Sequence, residues 1–192
     1  MRLFHLAALA AFCLTGCAGA PPASSQDRFF AALSQHCGKA YEGRLVTNDA
    51  ADAGMAGQRL VMDVRACSAG EIRIPFHVGA DRSRSWVMTR TQEGLRLKHD
   101  HRHEDGTEDA LSRYGGDTAA AGTATRQEFP ADQFSKDLFL REGRAASVEN
   151  VWAIEVDDEI FAYELRRPDR QFRVEFDLTA PVGAPPAPWG GE

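Results

Sequence analysis

The chain has 192 residues, with 22 Lys and Arg against 28 Asp and Glu, for a formal net charge of −6. This acidic balance excludes the basic footprint that nucleic-acid binding needs, and no nucleic-acid partner is expected. The length suits a single domain able to bury a good core. At the N-terminus, Met1-Arg2 is a short positive start and Leu3 to Leu14 is an apolar run broken only by His5. The run is shorter than the ~20 apolar residues a spanning helix needs. A basic start, a short apolar stretch and small residues at a cut site define a secretory signal.

The residues that end this run, Leu14-Thr15-Gly16-Cys17, resemble the lipobox of bacterial lipoproteins. The resemblance implies cleavage before Cys17, acylation of its thiol (a palmitate-type modification), and a membrane partner reached through the lipid. More than one acyl chain is what gives stable anchoring. The expected location is the cell envelope, facing the periplasm. Ala18 stands where an Asp favours inner-membrane retention in lipoproteins of enterobacterial type, so the outer membrane is expected over the inner. The chain then divides into a signal peptide (1–16), a lipidated tether (17–25), one β-rich domain (26–180) and a disordered tail (181–192) whose Trp189 could dock back. Cleavage leaves 176 of the 192 residues and removes Arg2, so 21 Lys and Arg face 28 Asp and Glu, or −7. No second long apolar segment follows, so no transmembrane helix is expected. Cys37 and Cys67 remain beside the acylated Cys17. In an oxidising compartment two such cysteines form a disulfide, and no Cys-x-x-Cys suggests redox chemistry.

The Pro-rich stretch Ala18–Ser25 reads as a tether. A short amphipathic helix follows from Gln26, capped by Ser25 and stopped by Gly38, with Phe29, Phe30 and Leu33 on one stripe. The pattern then changes to period two, and nine strands are predicted. They are 40–48, 59–68, 71–79, 82–91, 95–103, 126–129, 150–156, 160–166 and 171–179, with a second helix over 132–141. In the second strand Leu60, Met62, Val64 and Ala66 share a face. In the third, Ile72, Ile74, Phe76 and Val78 alternate with Glu71, Arg73, Pro75 and His77. The last is the cleanest, with Phe172, Val174, Phe176 and Leu178 inward. Trp86, Trp152, Phe161 and Tyr163 are expected in the core.

Short alternating strands at regular spacing predict a mainly β fold, an antiparallel barrel or sandwich, lipocalin-like, with one or two short helices. Pro75 cannot donate to a ladder and predicts an edge, a bulge or an opening there. Beyond the lipobox, stretches such as Leu97-Lys98-His99-Asp100-His101-Arg102-His103-Glu104-Asp105-Gly106 and Tyr114-Gly115-Gly116-Asp117-Thr118 resemble proteobacterial lipoproteins with no assigned activity. That resemblance implies no mechanism.

Residues 95–103 are the most unusual segment. Side chains two apart on a strand share a face, so Leu95, Leu97, His99, His101 and His103 are in phase. The strand begins in the core and ends at a polar mouth. Three readings stand. His99 with His101, or His101 with His103, could hold a metal, zinc being the natural guess. Neighbours on one face lie ~6.6 Å apart along a strand, whereas His99 and His103 lie ~13 Å apart and could not share one ion. Other ligands would come from Asp105, Glu108, Asp109 or Asp117. In the second reading the histidines line the mouth of a small-ligand pocket. In the third they are a solvated strand end. The following stretch, 104–124, is long for a loop without structure, a length that accompanies function or disorder, and its Tyr114 and Asp117 are further ligand-binding candidates.

Arg166, Arg167, Arg170 and Arg173 cluster about one hairpin, as an anion site or a solvated turn. No nucleophile elbow, phosphate loop or dinucleotide fingerprint is present, and no catalytic residue is nominated. The sequence thus predicts a lipid-anchored, non-enzymatic barrel that binds a small ligand at a His-rich mouth, with no cofactor unless zinc sits there. Its rivals are a metal-dependent enzyme or carrier using the same histidines, and a structural envelope protein.

Overall fold

The structure is a computed structural model and describes residues 23–191; Cys17, the signal and most of the tether lie outside the described residues. Among the described residues eleven strands form one antiparallel sheet: β1 (Ala40–Leu45), β2 (Leu60–Asp63), β3 (Ala66–Cys67), β4 (Glu71–Val78), β5 (Asp81–Arg90), β6 (Leu95–His101), β7 (Tyr114–Asp117), β8 (Arg126–Pro130), β9 (Val151–Val156), β10 (Ile160–Arg167) and β11 (Arg170–Val182). Their order is β7-β6-β5-β4-β2-β1-β11-β10-β9-β8, with β3 beside β4. Ten strands therefore follow one another around a nearly closed up-and-down barrel of the predicted kind. Among the described residues no helix is long and apolar enough to cross a membrane.

The inward faces of the longer strands carry alternating apolar residues, and these pack into one core that includes Phe29, Met62, Ile74, Trp86, Trp152 and Phe176. Aromatic rings fill the middle. Trp86 stacks on Phe76 at 4.8 Å and on Tyr163 at 4.4 Å between centroids. All four aromatics expected in the core are there.

Pro75 explains why the single strand predicted over 59–68 is two short ones. β2 pairs with β4 at Met62–Phe76, and β3 pairs with it at Ala66–Arg73. Between these pairs the neighbouring backbone turns away, with the Val64 N–H donating to Lys39 O. Pro has no N–H to offer a ladder, so the break falls opposite it. The barrel does not open there. It opens between β7 and β8, which share no ladder.

This seam is closed by other means. The Asp132 N–H donates to Gly115 O at 2.9 Å. The fully buried Ser135 Oγ accepts from the Gly115 N–H at 2.7 Å and lies 2.8 Å from Gly115 O. Ser135 belongs to α2 (Gln133–Arg141), which Asp132 caps by accepting from the Ser135 N–H. The backbones approach closely: a Cβ on Gly116 would lie 1.8 Å from Pro130 O.

The other helix, α1 (Ser25–Ser34), plugs one end of the barrel with Phe29, Phe30 and Leu33. Its cap is Ser24 rather than the predicted Ser25. Ser24 and Asp27 form a reciprocal capping box, a geometry that satisfies two otherwise free helix N–H groups. Gln26 Nε2 donates to Thr118 Oγ1 at 2.9 Å, and Arg90 lies over the Phe30 ring. The predicted disulfide is present: Cys37 and Cys67 are bonded with Cα atoms 6.2 Å apart, tying the end of α1 to β3. The predicted disordered tail differs from what is found. β11 runs to Val182, and 183–191 lie against the outside of the barrel, where the Trp189 N–H donates to Arg82 O at 3.0 Å.

Candidate functional site

β6 starts beside α1 and ends at the opposite, unplugged end of the barrel. Its inward residues are Leu95, Leu97, His99 and His101, as the phase predicts. His99 is only 2% exposed. Its ring stacks on Tyr114 at 4.6 Å and lies 5.1 Å from Trp152. Nδ1 is 3.1 Å from Tyr114 O, and Nε2 is 2.7 Å from the Tyr163 hydroxyl. A carbonyl only accepts, so Nδ1 carries the proton and Nε2 accepts from Tyr163. The Tyr114 hydroxyl in turn lies 3.2 Å from His101 Nε2. A chain of hydrogen-bonded groups thus runs from the core outward, Tyr163 with His99 and Tyr114 with His101, interrupted at Tyr114, whose carbonyl takes the His99 bond and whose hydroxyl meets His101.

Burial sets the charge of this chain. Desolvation pushes His99 down to about 3, with the neighbouring His101 adding to the effect. Desolvation, then the charge of Arg84, pushes His101 down to about 4. Both imidazoles are neutral near pH 7. Burial raises the Tyr114 and Tyr163 hydroxyls above the ordinary phenol range.

The remaining predicted residues are not brought into this group. His103 lies beyond the end of β6 and is exposed, with Nε2 3.7 Å from Asp109 Oδ2. Asp117 is half-exposed and holds Arg96 through two contacts, at 2.6 and 2.8 Å, near the α1 end. Antiparallel pairing of β7 with β6 puts Tyr114 beside His99 and so carries Asp117 away from the mouth. The stretch 104–124 is not structureless. It returns as a hairpin, with the His103 N–H donating to Thr107 O and the Arg113 N–H to His99 O, and it contributes β7. Arg113 takes a left-handed φ of 60° where the chain turns into that strand.

The residues do not fit a zinc ion at His99 and His101. Both His99 ring nitrogens already have partners, and a ligating lone pair could be freed only by breaking the bond from Tyr163 inside the core. Among the described residues no group of three or more His, Cys, Asp or Glu side chains is placed to hold a metal ion. The arginine cluster is likewise committed. Arg166 pairs with Glu128, Arg167 with Asn150, Arg170 with Asp52 and Arg173 with Glu155.

The unplugged end holds groups that the sequence reading passed over. Arg84 is in phase with Trp86 and Met88 and stands opposite His101 in the ladder. It pairs with Asp81 at 2.7 Å. The segment 49–58 folds over this end, pinned by Asp52, which is 4% exposed and accepts from Arg170 at 2.7 Å. Between that segment and the β4–β5 turn is a cleft of about 380 Å³ bordered by Asp52, Met55, Gln58, Val78, Asp81 and Arg84. The signal for Arg84 was available as an arginine at an inward position of an otherwise apolar alternation. Asp52 carried no such signal, because nothing local says which Asp of a loop will be buried.

No protein-family model, curated protein or solved structure matches this chain. The arrangement must therefore be read from its own chemistry. It offers a neutral hydrogen-bonding chain behind a charged rim, which can bind and orient a small polar molecule.

Proposed function

We propose that this chain is a lipid-anchored envelope protein, acylated at Cys17 and facing the periplasm from the outer membrane. Its barrel binds a small polar ligand at the end opposite α1. The observation that carries the ligand reading is the cleft of about 380 Å³ at the unplugged end, bordered by inward-facing Arg84, which stands opposite His101 in the β5–β6 ladder. Arg84 and Asp81 supply charged contacts at the rim, and Met55 and Val78 an apolar wall. The lipobox supports the anchor. The described chain enters the barrel at the α1 plug, so an anchor preceding it leaves the ligand end turned away from the bilayer.

The test is native mass spectrometry of the protein purified from its own host, beside an Arg84→Ala variant. A small molecule retained by the wild type and lost from the variant is expected. Unliganded protein in both would favour a second reading, a structural envelope protein, which the tightly filled aromatic interior also suits. For the anchor, metabolic palmitate labelling is expected on the wild type and not on Cys17→Ser. An unlabelled wild type removes the anchor from the reading.

A further inference from the structure

The outside of the barrel carries a second feature, far from the mouth chemistry. The outward residues Val61, Pro75 and His77 of β2 and β4 are buried although they face away from the core. What covers them is 183–191, with its Pro185-Pro186-Ala187-Pro188-Trp189 run. Prolines cannot donate to a strand ladder, so this segment does not extend the sheet. It lies across the sheet, held at Arg82. The Trp189 N–H donates to Arg82 O at 3.0 Å, and Arg82 Nη1 donates to Ala187 O at 2.9 Å.

The fit is incomplete in two respects. Clefts remain on both sides of Trp189, one of about 410 Å³ bordered by Val61, His77 and Pro186, the other of about 160 Å³ bordered by Pro75 and Ser85. Two buried polar atoms, His77 Nε2 and Trp189 Nε1, have no hydrogen-bond partner among the described residues. Buried polar groups are nearly always paired, and each orphan costs free energy that a better-matched occupant would recover. The segment therefore occupies this groove without satisfying it.

We infer that the outer face of β2, β4 and β5 is a peptide-docking groove, and that the chain's own C-terminal segment is its displaceable resident. The partner it fits is an extended, proline-rich segment of another protein. Such a segment would carry an aromatic side chain at the Trp189 position and a hydrogen-bonding group opposite His77 Nε2. Proline-rich segments suit such grooves because little conformational entropy is lost when they dock.

The probe is a synthetic, fluorophore-labelled peptide with the sequence of residues 183–192, titrated into the full mature chain and followed by fluorescence polarisation. In the wild type the tethered segment competes at a millimolar-range effective concentration. Trp189→Ala removes the segment's aromatic contact and so weakens that competition without touching the core. The peptide is expected to bind Trp189→Ala at least ~10-fold more tightly than wild type, and a peptide with Ala in place of its Trp is expected to lose ~10-fold or more, the size of one buried aromatic or hydrogen-bonded contact. Val61→Glu, placed in the Trp189→Ala background and checked for fold by circular dichroism, is expected to weaken binding to a similar extent. Equal binding to wild type and Trp189→Ala, or no binding to Trp189→Ala, overturns the inference. Sedimentation that shows a wild-type dimer lost in Trp189→Ala also overturns it, because the occupant would then be a second copy of this chain.

Discussion

The Ser135 hydroxyl is one of the bonds that close the seam between β7 and β8, and Ser135→Ala tests its share. The substitution removes the acceptor for the buried Gly115 N–H at 2.7 Å. Gly115 O keeps its bond from the Asp132 N–H, and Asp132 still caps α2 through the Ser135 N–H. The net change is one orphaned backbone donor, a penalty of ~1–3 kcal/mol, with about 2 kcal/mol as the working value. For a domain of this size that lowers the thermal midpoint by about 4–8 °C. Urea unfolding gives the free energy, and amide exchange at Gly115 reports the location. Exchange there should accelerate far more than at Leu97 on the same sheet. A loss below ~0.5 kcal/mol, within the range of ordinary surface substitutions, together with unchanged Gly115 protection would refute the claim that Ser135 helps to close the barrel.

Other outcomes follow from the same geometry. Reducing Cys37–Cys67, which closes a separation of 30 residues, should lower stability by about 3–4 kcal/mol in the chain-entropy model, measured as the urea midpoint with and without reductant. His99 and His101 are held at about 3 and about 4, below the ordinary value near 6.5. The unfolded chain therefore takes up protons below pH 6.5 that the folded chain refuses, and stability present above that pH falls as the pH drops towards 4. The slope is about 1.4 kcal/mol per group per pH unit. Ring resonances of both residues that stay constant from pH 7 to 5 would agree, and a midpoint near 6.5 would not. Asp52→Ala strips the buried partner from Arg170. Arg170 keeps its pair with Asp49 at 3.1 Å, so the cost should be about 1–2 kcal/mol, and limited proteolysis should cut within 50–58; an uncut segment would show that the Asp52 pair does not pin it.

Much of this architecture is written in local pattern. The period-two runs of β4, β6 and β11 declare both strand and facing, because a one-residue slip would turn every apolar side chain outward. That is why His99 and His101 could be placed inside from phase alone. β7 was not legible. Tyr114-Gly115-Gly116-Asp117 has no alternation to read, and its glycines serve the tight approach to Leu97 and Pro130, a requirement that exists only once the barrel closes. Asp117 was assigned to the mouth because nothing in sequence fixes which way a four-residue strand runs back. The burial of Asp52 and the seating of Trp189 on Arg82 are long-range for the same reason. Each depends on a partner more than 100 residues away.

The order of the strands also constrains how the barrel can be assembled. β1 to β7 can zip up hairpin by hairpin, and so can β8 to β11, but each half-sheet then presents two raw edges. The edge of β1 waits for β11, whose Glu175 lies 131 positions beyond its partner Arg44. Pairings so distant in sequence are slow to form, and unpaired edges are templates for wrong partners. A nascent chain therefore passes through an interval in which half a barrel is built and both of its margins are adhesive. Substitutions that delay β11 should act on yield, through aggregation during refolding, well before they alter the finished molecule.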